Sequence, residues 1–197
     1  MSTVPPSAHL EDTLPLRRVI FFGDSRADWW HLPVLPGFQC VNAGVPGATA
    51  AYLARHFQAM VAPLRPDIVV VQMGVNDLVE LTGHAPERER LVMAVRTAIA
   101  SVVSDARALG ARVILTTIFP LAHGPYASRA VQEAIAAVNQ GLSSLAAPEV
   151  RLLDSAAVLC GSDGYVRDAY ADDEAHLNAA GYAALNAALA PLLRGDA

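Results

Sequence analysis

Serine, histidine and aspartate side chains occur in two short polar segments that interrupt an otherwise apolar sequence. The stretch VIFFGDSRADWW, residues 19–30, ends an apolar run and presents Ser25. A serine hydroxyl is a poor nucleophile until a base takes its proton, which an imidazole can do near neutral pH. A carboxylate then fixes the imidazole tautomer. The segment DDEAHLNAAGY, residues 172–182, supplies both groups as Asp173 and His176. These parts can build an acyl-transfer site.

Two further segments offer hydrogen-bond donors for the negative charge that develops during acyl transfer. Gly44 lies in NAGVPG, and a glycine leaves its backbone N–H open to close approach. Asn76 lies in GVND and can offer a side-chain amide. Removing one such donor typically costs about 3–4 kcal/mol of transition-state stabilisation.

The chain contains no lysine, because all 14 of its Lys and Arg residues are arginine. A phosphate-loop lysine, a Schiff-base lysine and a serine–lysine dyad are therefore excluded within this chain. Any nucleophile in this sequence needs another base.

Short apolar runs alternate with longer helical segments along the chain. The predicted strands are residues 17–22, 38–42, 67–73, 111–118 and 150–154. The predicted helices are residues 48–62, 86–110, 128–147 and 178–194. This alternation indicates a mostly parallel sheet with helices on both faces. Ligands bind outside the carboxyl ends of the strands in such sheets, which is where the polar segments lie.

Composition narrows the class of protein. The 197 residues are 53% hydrophobic and 17% charged, too apolar for a disordered chain, and no apolar run is long enough to cross a bilayer. The net charge of −5, without a basic run, argues against nucleic acid as a partner. We expect residues 1–15 to form a flexible arm without signal-peptide features, residues 16–197 to form one domain, and the location to be cytoplasmic.

The four polar segments together resemble the SGNH hydrolases, also called the GDSL-type esterase and lipase family. That family carries serine, glycine, asparagine and histidine in four separate blocks. The matches are Ser25 in FFGDSR, Gly44 in VNAGVPG, Asn76 in GVND and His176 in DEAHLNAAGY, in the family's order.

The resemblance implies a site and a fold. Ser25 would be the nucleophile, His176 its base and Asp173 the residue that orients His176. The oxyanion hole would comprise the backbone N–H groups of Ser25 and Gly44 and the side-chain amide of Asn76. The fold would be a three-layer α/β/α sandwich resembling flavodoxin, with a five-stranded parallel sheet. The substrate would be a small-molecule ester, with no metal and no organic cofactor.

The sequence departs from the family pattern directly after the nucleophile. Arg26 stands where the family name has leucine. Arg26 could bind an anionic group of the substrate, or it could pair with Asp28 or Glu80. Trp29 follows, and a tryptophan near this position resembles family members that act on small acyl groups. We expect Trp29 to contact substrate.

Other acidic residues compete for roles near the site. Asp24 and Asp77 are expected to bond nearby backbone N–H groups and shape their turns. Asp172 and Asp154 are alternatives to Asp173 as the residue that orients the base. The family's Asp-x-x-His spacing selects Asp173.

Several functions remain open on the sequence alone. The leading hypothesis is a serine esterase, and the absence of an obvious lid insertion favours a small or short-chain acyl group. Thioesterase, lysophospholipase and carbohydrate deacetylase activities would use the same site. A non-catalytic binding domain is an alternative, since fold does not fix function. A metal-dependent phosphoesterase is another alternative, because GDSR and GVND resemble its motifs, although no histidine directly follows Asn76.

His31 and His123 lie in loops that could border a pocket. The oligomeric state is left open.

Overall fold

The computed structural model describes residues 15–79, 81 and 87–195, and a five-stranded parallel sheet organises them. The strands are β1 (Arg17–Gly23), β2 (Phe38–Gly44), β3 (Ile68–Gln72), β4 (Arg112–Thr116) and β5 (Val150–Leu153). Their order across the sheet is β2-β1-β3-β4-β5, and each neighbouring pair is parallel. The predicted strands and their parallel arrangement are confirmed. The predicted arm lies outside the described residues except for Pro15.

The described part of the chain contains seven α-helices, five between strands and two after β5. They are α1 (Ser25–Asp28), α2 (Ala50–Val61), α3 (Val75–Val79), α4 (Arg88–Ala108), α5 (Arg129–Leu142), α6 (Ser155–Leu159) and α7 (Ala179–Arg194). The four long helices confirm the predicted ones. The three short helices were not predicted, because four or five residues are too few to give a periodic apolar pattern. No helix of the described residues is long and apolar enough to span a membrane.

Two apolar cores cover the two faces of the sheet. All five residues of β3 are buried, and successive side chains point to opposite faces. Val69 and Val71 pack in the core formed with α2, α4 and α5. Ile68 and Val70 pack in the other core, beneath α6 and α7. The predicted three-layer α/β/α sandwich is therefore confirmed.

The turn after β1 is fixed by a close approach between two strands. A Cβ atom on Gly23 would lie 1.6 Å from the carbonyl oxygen of Gln72 on β3, so only glycine fits. The buried Asp24 carboxylate then accepts hydrogen bonds from the backbone N–H groups of Arg26 (3.0 Å) and Gly74 (3.1 Å). Burial raises the pKa of Asp24, against the opposing effects of Arg26 and these N–H groups. The turn therefore starts α1 at the rim of the sheet.

Candidate active site

A serine, a histidine and an aspartate meet above the carboxyl end of β1. His176 Nε2 lies 2.9 Å from Ser25 Oγ, and Asp173 Oδ2 lies 2.8 Å from His176 Nδ1. Ser25 and His176 are 151 positions apart in the chain. The Ser25 residue is 9% exposed and the His176 side chain 19%, so most of the surface of both groups is covered by protein. The structure thus brings together all three side chains that the sequence singles out for the acid, base and nucleophile.

Local backbone bonds place each member of this triad. Ser25 is the first residue of α1, whose N-cap is Asp24. Asp173 Oδ1 accepts the backbone N–H groups of Ala175 (2.7 Å) and His176 (2.8 Å), which closes a tight turn. Burial raises the pKa of the Asp173 carboxyl, but hydrogen bonds from the His176 ring and these N–H groups outweigh it and hold the pKa below its ordinary value. Asp173 therefore stays ionised beside the imidazole.

An indole ring covers one face of the imidazole. Trp29 stacks on His176 with ring centroids 4.1 Å apart and an interplanar angle of 23°. The Trp29 residue is 42% exposed, so part of its surface remains free for a ligand. Trp30 is buried instead, and its indole N–H donates to Asn186 Oδ1 at 2.7 Å. The two adjacent tryptophans therefore have different roles: Trp29 lies at the site and Trp30 packs the core.

The prediction that Gly44 provides an oxyanion donor is wrong for this arrangement. Its backbone N–H donates to Asn42 Oδ1 at 2.8 Å. A Cβ atom on Gly44 would lie 2.2 Å from the backbone nitrogen of Asp28, so the residue packs directly against α1. The Asn42 amide group also donates to the carbonyls of Ala27 and Asp28, at 2.9 and 2.8 Å. Gly44 therefore permits β2 and α1 to pack closely. Its N–H is bonded to Asn42 and is not free to bind an oxyanion.

Gly47, the second glycine of NAGVPG, is a candidate oxyanion donor that the sequence pattern did not single out. Gly47 has φ +72°, and its backbone N–H makes no hydrogen bond to the described residues. The neighbouring carbonyl of Ala48 accepts a hydrogen bond from Asn76 Nδ2 at 3.0 Å. Asp77 Oδ2 accepts the N–H of Ala50 at 2.8 Å, so both polar residues of GVND hold the loop that carries Gly47. The Pro-Gly pair, which favours a turn with positive φ at the glycine, was the available signal.

The prediction that Arg26 binds substrate is also wrong. Arg26 is 0% exposed. Its guanidinium group donates to the backbone carbonyls of Ala175 and Phe119 rather than to Asp28. Burial lowers the pKa of Arg26 to about 10, while the Asp24 carboxylate acts in the opposite direction. The other predicted partner, Glu80, lies outside the described residues.

The side chains of the remaining candidates make no hydrogen bond to the three triad side chains in the described part of the chain. Asp172 is exposed, and its backbone N–H bonds the carbonyl of His176. Asp154 caps α6. His123 pairs with an aspartate at the surface, whereas His31 lines a groove beside the site. Over residues 15–79, 81 and 87–195, no three His, Cys, Asp or Glu side chains are grouped to hold a metal ion.

Two open grooves are lined by residues of the candidate site, one by Trp29 and the other by Gly47. One has a volume of about 460 Å³ and lies on the Trp29 side. Its lining comprises Asp28, Trp29, Trp30, His31, Asp172, Leu177, Asn178 and Ala179. The other has a volume of about 300 Å³ and lies along the loop that follows β2. Its lining comprises Val45, Pro46, Gly47, Ala48, Thr49 and Tyr52.

The lowered pKa of Asp173 predicts a pH-dependent contribution to stability. A carboxyl whose pKa is lower in the folded state stabilises the fold above its ordinary value of 3.8, and this contribution is lost as pH falls through the folded value. Below pH 3.8, we expect the unfolding free energy of Asp173→Asn to fall less steeply with pH than that of the native protein. The difference should be no more than about 1 kcal/mol, because the Asp173 side chain is half-exposed. Urea titrations of both proteins at several acidic pH values measure this. Parallel pH curves for the two proteins would contradict it.

Comparison with known proteins identifies the family of the chain. The profile of the GDSL-like lipase/acylhydrolase family matches residues 21–184. Esterase TesA of Pseudomonas aeruginosa is 35% identical over 89 residues, which are 45% of this chain and only 40% of that esterase. A GDSL-like lipase from Bacteroides thetaiotaomicron is 25% identical, with 92% of this chain and 89% of that chain covered and a TM-score of 0.75.

A more distant structure shares the fold. A catalytic mutant of an acetylxylan esterase from Geobacillus stearothermophilus is 20% identical and superposes with a TM-score of 0.66. The superposition covers 92% of this chain and 95% of that esterase. Because the family profile spans most of the sequence, the chain belongs to the GDSL-like lipase/acylhydrolase family.

Proposed function

We propose that this protein is a serine esterase that cleaves a carboxylic ester through an acyl-enzyme on Ser25. The observation that carries the proposal is the 2.9 Å contact between Ser25 Oγ and His176 Nε2, with Asp173 on the opposite ring nitrogen. A nucleophile, a base and an orienting carboxylate at hydrogen-bond distance are the requirements for acyl transfer.

The reaction has two stages. Ser25 Oγ attacks the ester carbonyl carbon while its proton passes to His176 Nε2, and a tetrahedral oxyanion forms. The intermediate collapses when the alkoxide leaves and takes the proton from His176. Water then attacks the acyl-enzyme by the same route and releases the carboxylic acid and free Ser25. Asp173 stays ionised throughout and stabilises the imidazolium.

We assign the oxyanion hole to the backbone N–H groups of Ser25 and Gly47 and to the amide of Asn76. Neither N–H is used by the described part of the chain, unlike the N–H of Gly44. Asn76 Nδ2 uses one hydrogen on the carbonyl of Ala48, which fixes the amide and leaves the second hydrogen for the substrate. Donors held in place before the reaction stabilise the developing charge most effectively.

The two grooves support separate binding sites for the acyl group and the leaving alcohol of the substrate. The groove beside Gly47 is apolar and shallow, being lined by small side chains and Tyr52, which suits a short acyl group. The groove beside Trp29 lies on the His176 side, where the leaving alcohol takes its proton. Acetyl esters are therefore the favoured substrates. Thioesters, lysophospholipids and acetylated sugars would use the same triad.

The nucleophile is tested by Ser25→Ala. We expect this variant to lose hydrolysis of p-nitrophenyl acetate by about 10³-fold or more, because no acyl-enzyme can form. Its unfolding free energy should remain close to that of the native protein, since the change removes one oxygen. Ser144→Ala, which alters an exposed hydroxyl bonded to the carbonyl of Gly141, is the matched control and should retain full activity. Native activity in Ser25→Ala would contradict the proposed mechanism.

The oxyanion hole is tested by Asn76→Asp, which keeps the shape of the side chain and replaces two donor hydrogens with a negative charge. We expect kcat to fall by about 10²- to 10³-fold, with a smaller change in KM, because the lost interaction forms mainly in the transition state. Steady-state kinetics with p-nitrophenyl acetate measure both constants. An unchanged kcat in a folded Asn76→Asp protein would exclude Asn76 from this role.

A further inference from the structure

The residue that follows the nucleophile is a fully buried cation. Arg26 is 0% exposed, in a position where the family name has leucine. Burying a guanidinium group is costly unless its charge is compensated and its N–H groups find acceptors. The Asp24 carboxylate, buried in the same turn, supplies the opposite charge. Nε and Nη1 have acceptors, whereas the buried Nη2 has no hydrogen-bond partner among the described residues. The acceptors of Nε and Nη1 indicate what the side chain does at this position.

The Arg26 side chain joins three elements that surround the site. Nε donates to the carbonyl of Ala175 at 2.9 Å, and Nη1 donates to the carbonyl of Phe119 at 2.5 Å. The guanidinium carbon lies 3.8 Å from the centre of the Phe119 ring. From α7, the Tyr182 hydroxyl donates to the backbone carbonyl of Arg26 at 3.0 Å, which holds the start of the side chain. Arg26 therefore ties α1 to the segment after β4 and to the turn that carries the acid and the base.

The Ala175 carbonyl is the important acceptor, because it belongs to the same planar peptide unit as the N–H of His176. That N–H donates to Asp173 Oδ1 at 2.8 Å, while the carbonyl accepts from Arg26 at 2.9 Å. The two opposite edges of one peptide plane are thus held by two side chains. The Cα atom of His176 lies in this peptide plane. The orientation of the plane therefore determines where the His176 side chain starts and helps to direct its imidazole.

We propose that Arg26 is a positioning residue that clamps the peptide unit between Ala175 and His176 and thereby directs the imidazole toward Ser25. The role rests on the proposed function, since it concerns the base of that reaction. Leucine at this position would fill space but could not bond the carbonyl. Lysine would keep the charge and could bond one carbonyl, without the fixed fork that reaches two.

The test uses Arg26→Lys and Arg26→Met in the full chain. We expect Arg26→Met to lower kcat for p-nitrophenyl acetate by about 10- to 100-fold with little change in KM, because small displacements of a catalytic group are costly. Arg26→Lys should recover part of this loss. The low-field proton resonance of His176 Nδ1, bonded to Asp173, should weaken or exchange faster in Arg26→Met. Arg112→Met is the matched control: Arg112 donates to the carbonyl of Leu193 at 2.8 Å, at the start of β4 and far from the site, so kcat should be unchanged.

Several outcomes would overturn the proposal. A folded Arg26→Met protein with native kcat and a native His176 resonance would do so, as would a loss confined to KM. If Arg26→Lys failed to fold, the guanidinium group would be a requirement of the fold rather than of the turn, which also contradicts the proposal. The proposed function fails separately, if the native protein is inactive or if Ser25→Ala remains active. In that case the His176 resonance still decides whether Arg26 holds the turn.

Discussion

The contact between Ser25 Oγ and His176 Nε2 requires the fold to bring two residues that are 151 positions apart to one edge of the sheet. Ser25 must leave the end of β1 at the rim of the sheet, and His176 must return to the same rim directly before α7. The parallel sheet satisfies the first condition, since all its strands end at one edge. The turn closed by Asp173 satisfies the second condition.

Polar side chains at this edge, of which Asp24 and Arg26 are buried, act mainly on the backbone around the site. Asp24 holds the turn after β1 against the start of α3, Asn42 joins β2 to α1, and Asp77 joins α3 to α2. Arg26 extends the same pattern to the turn that carries the base. Loops alone would leave the reacting groups mobile, and these polar bonds restrict them. The bonds of Asp24 and Arg26 are the costliest to break, because each broken bond would leave an unpaired group in the interior.

The sheet and the four long helices were predictable, because apolar runs and helical periodicity span enough residues to be recognised. The meeting of Ser25, Asp173 and His176 was predictable from chemistry and family spacing. The roles of Gly44 and Arg26 were not, because both depend on contacts between segments distant in sequence. The N–H of Gly44 donates to Asn42 Oδ1 two residues earlier, and the Asn42 amide is itself held by the carbonyls of Ala27 and Asp28 on α1. The Arg26 side chain turns inward because two backbone carbonyls, 93 and 149 positions away, accept its N–H groups.

The identity of the nucleophile is tested most directly by a fluorophosphonate probe, which reacts with an activated serine. The full native chain is treated with the probe until p-nitrophenyl acetate hydrolysis stops, and the modified peptide is identified by mass spectrometry. The account predicts one adduct, on Ser25, formed in step with the loss of activity, and much slower labelling of His176→Ala. Complete inactivation with the adduct on another serine, or hydrolysis that persists after Ser25 is fully labelled, would contradict it.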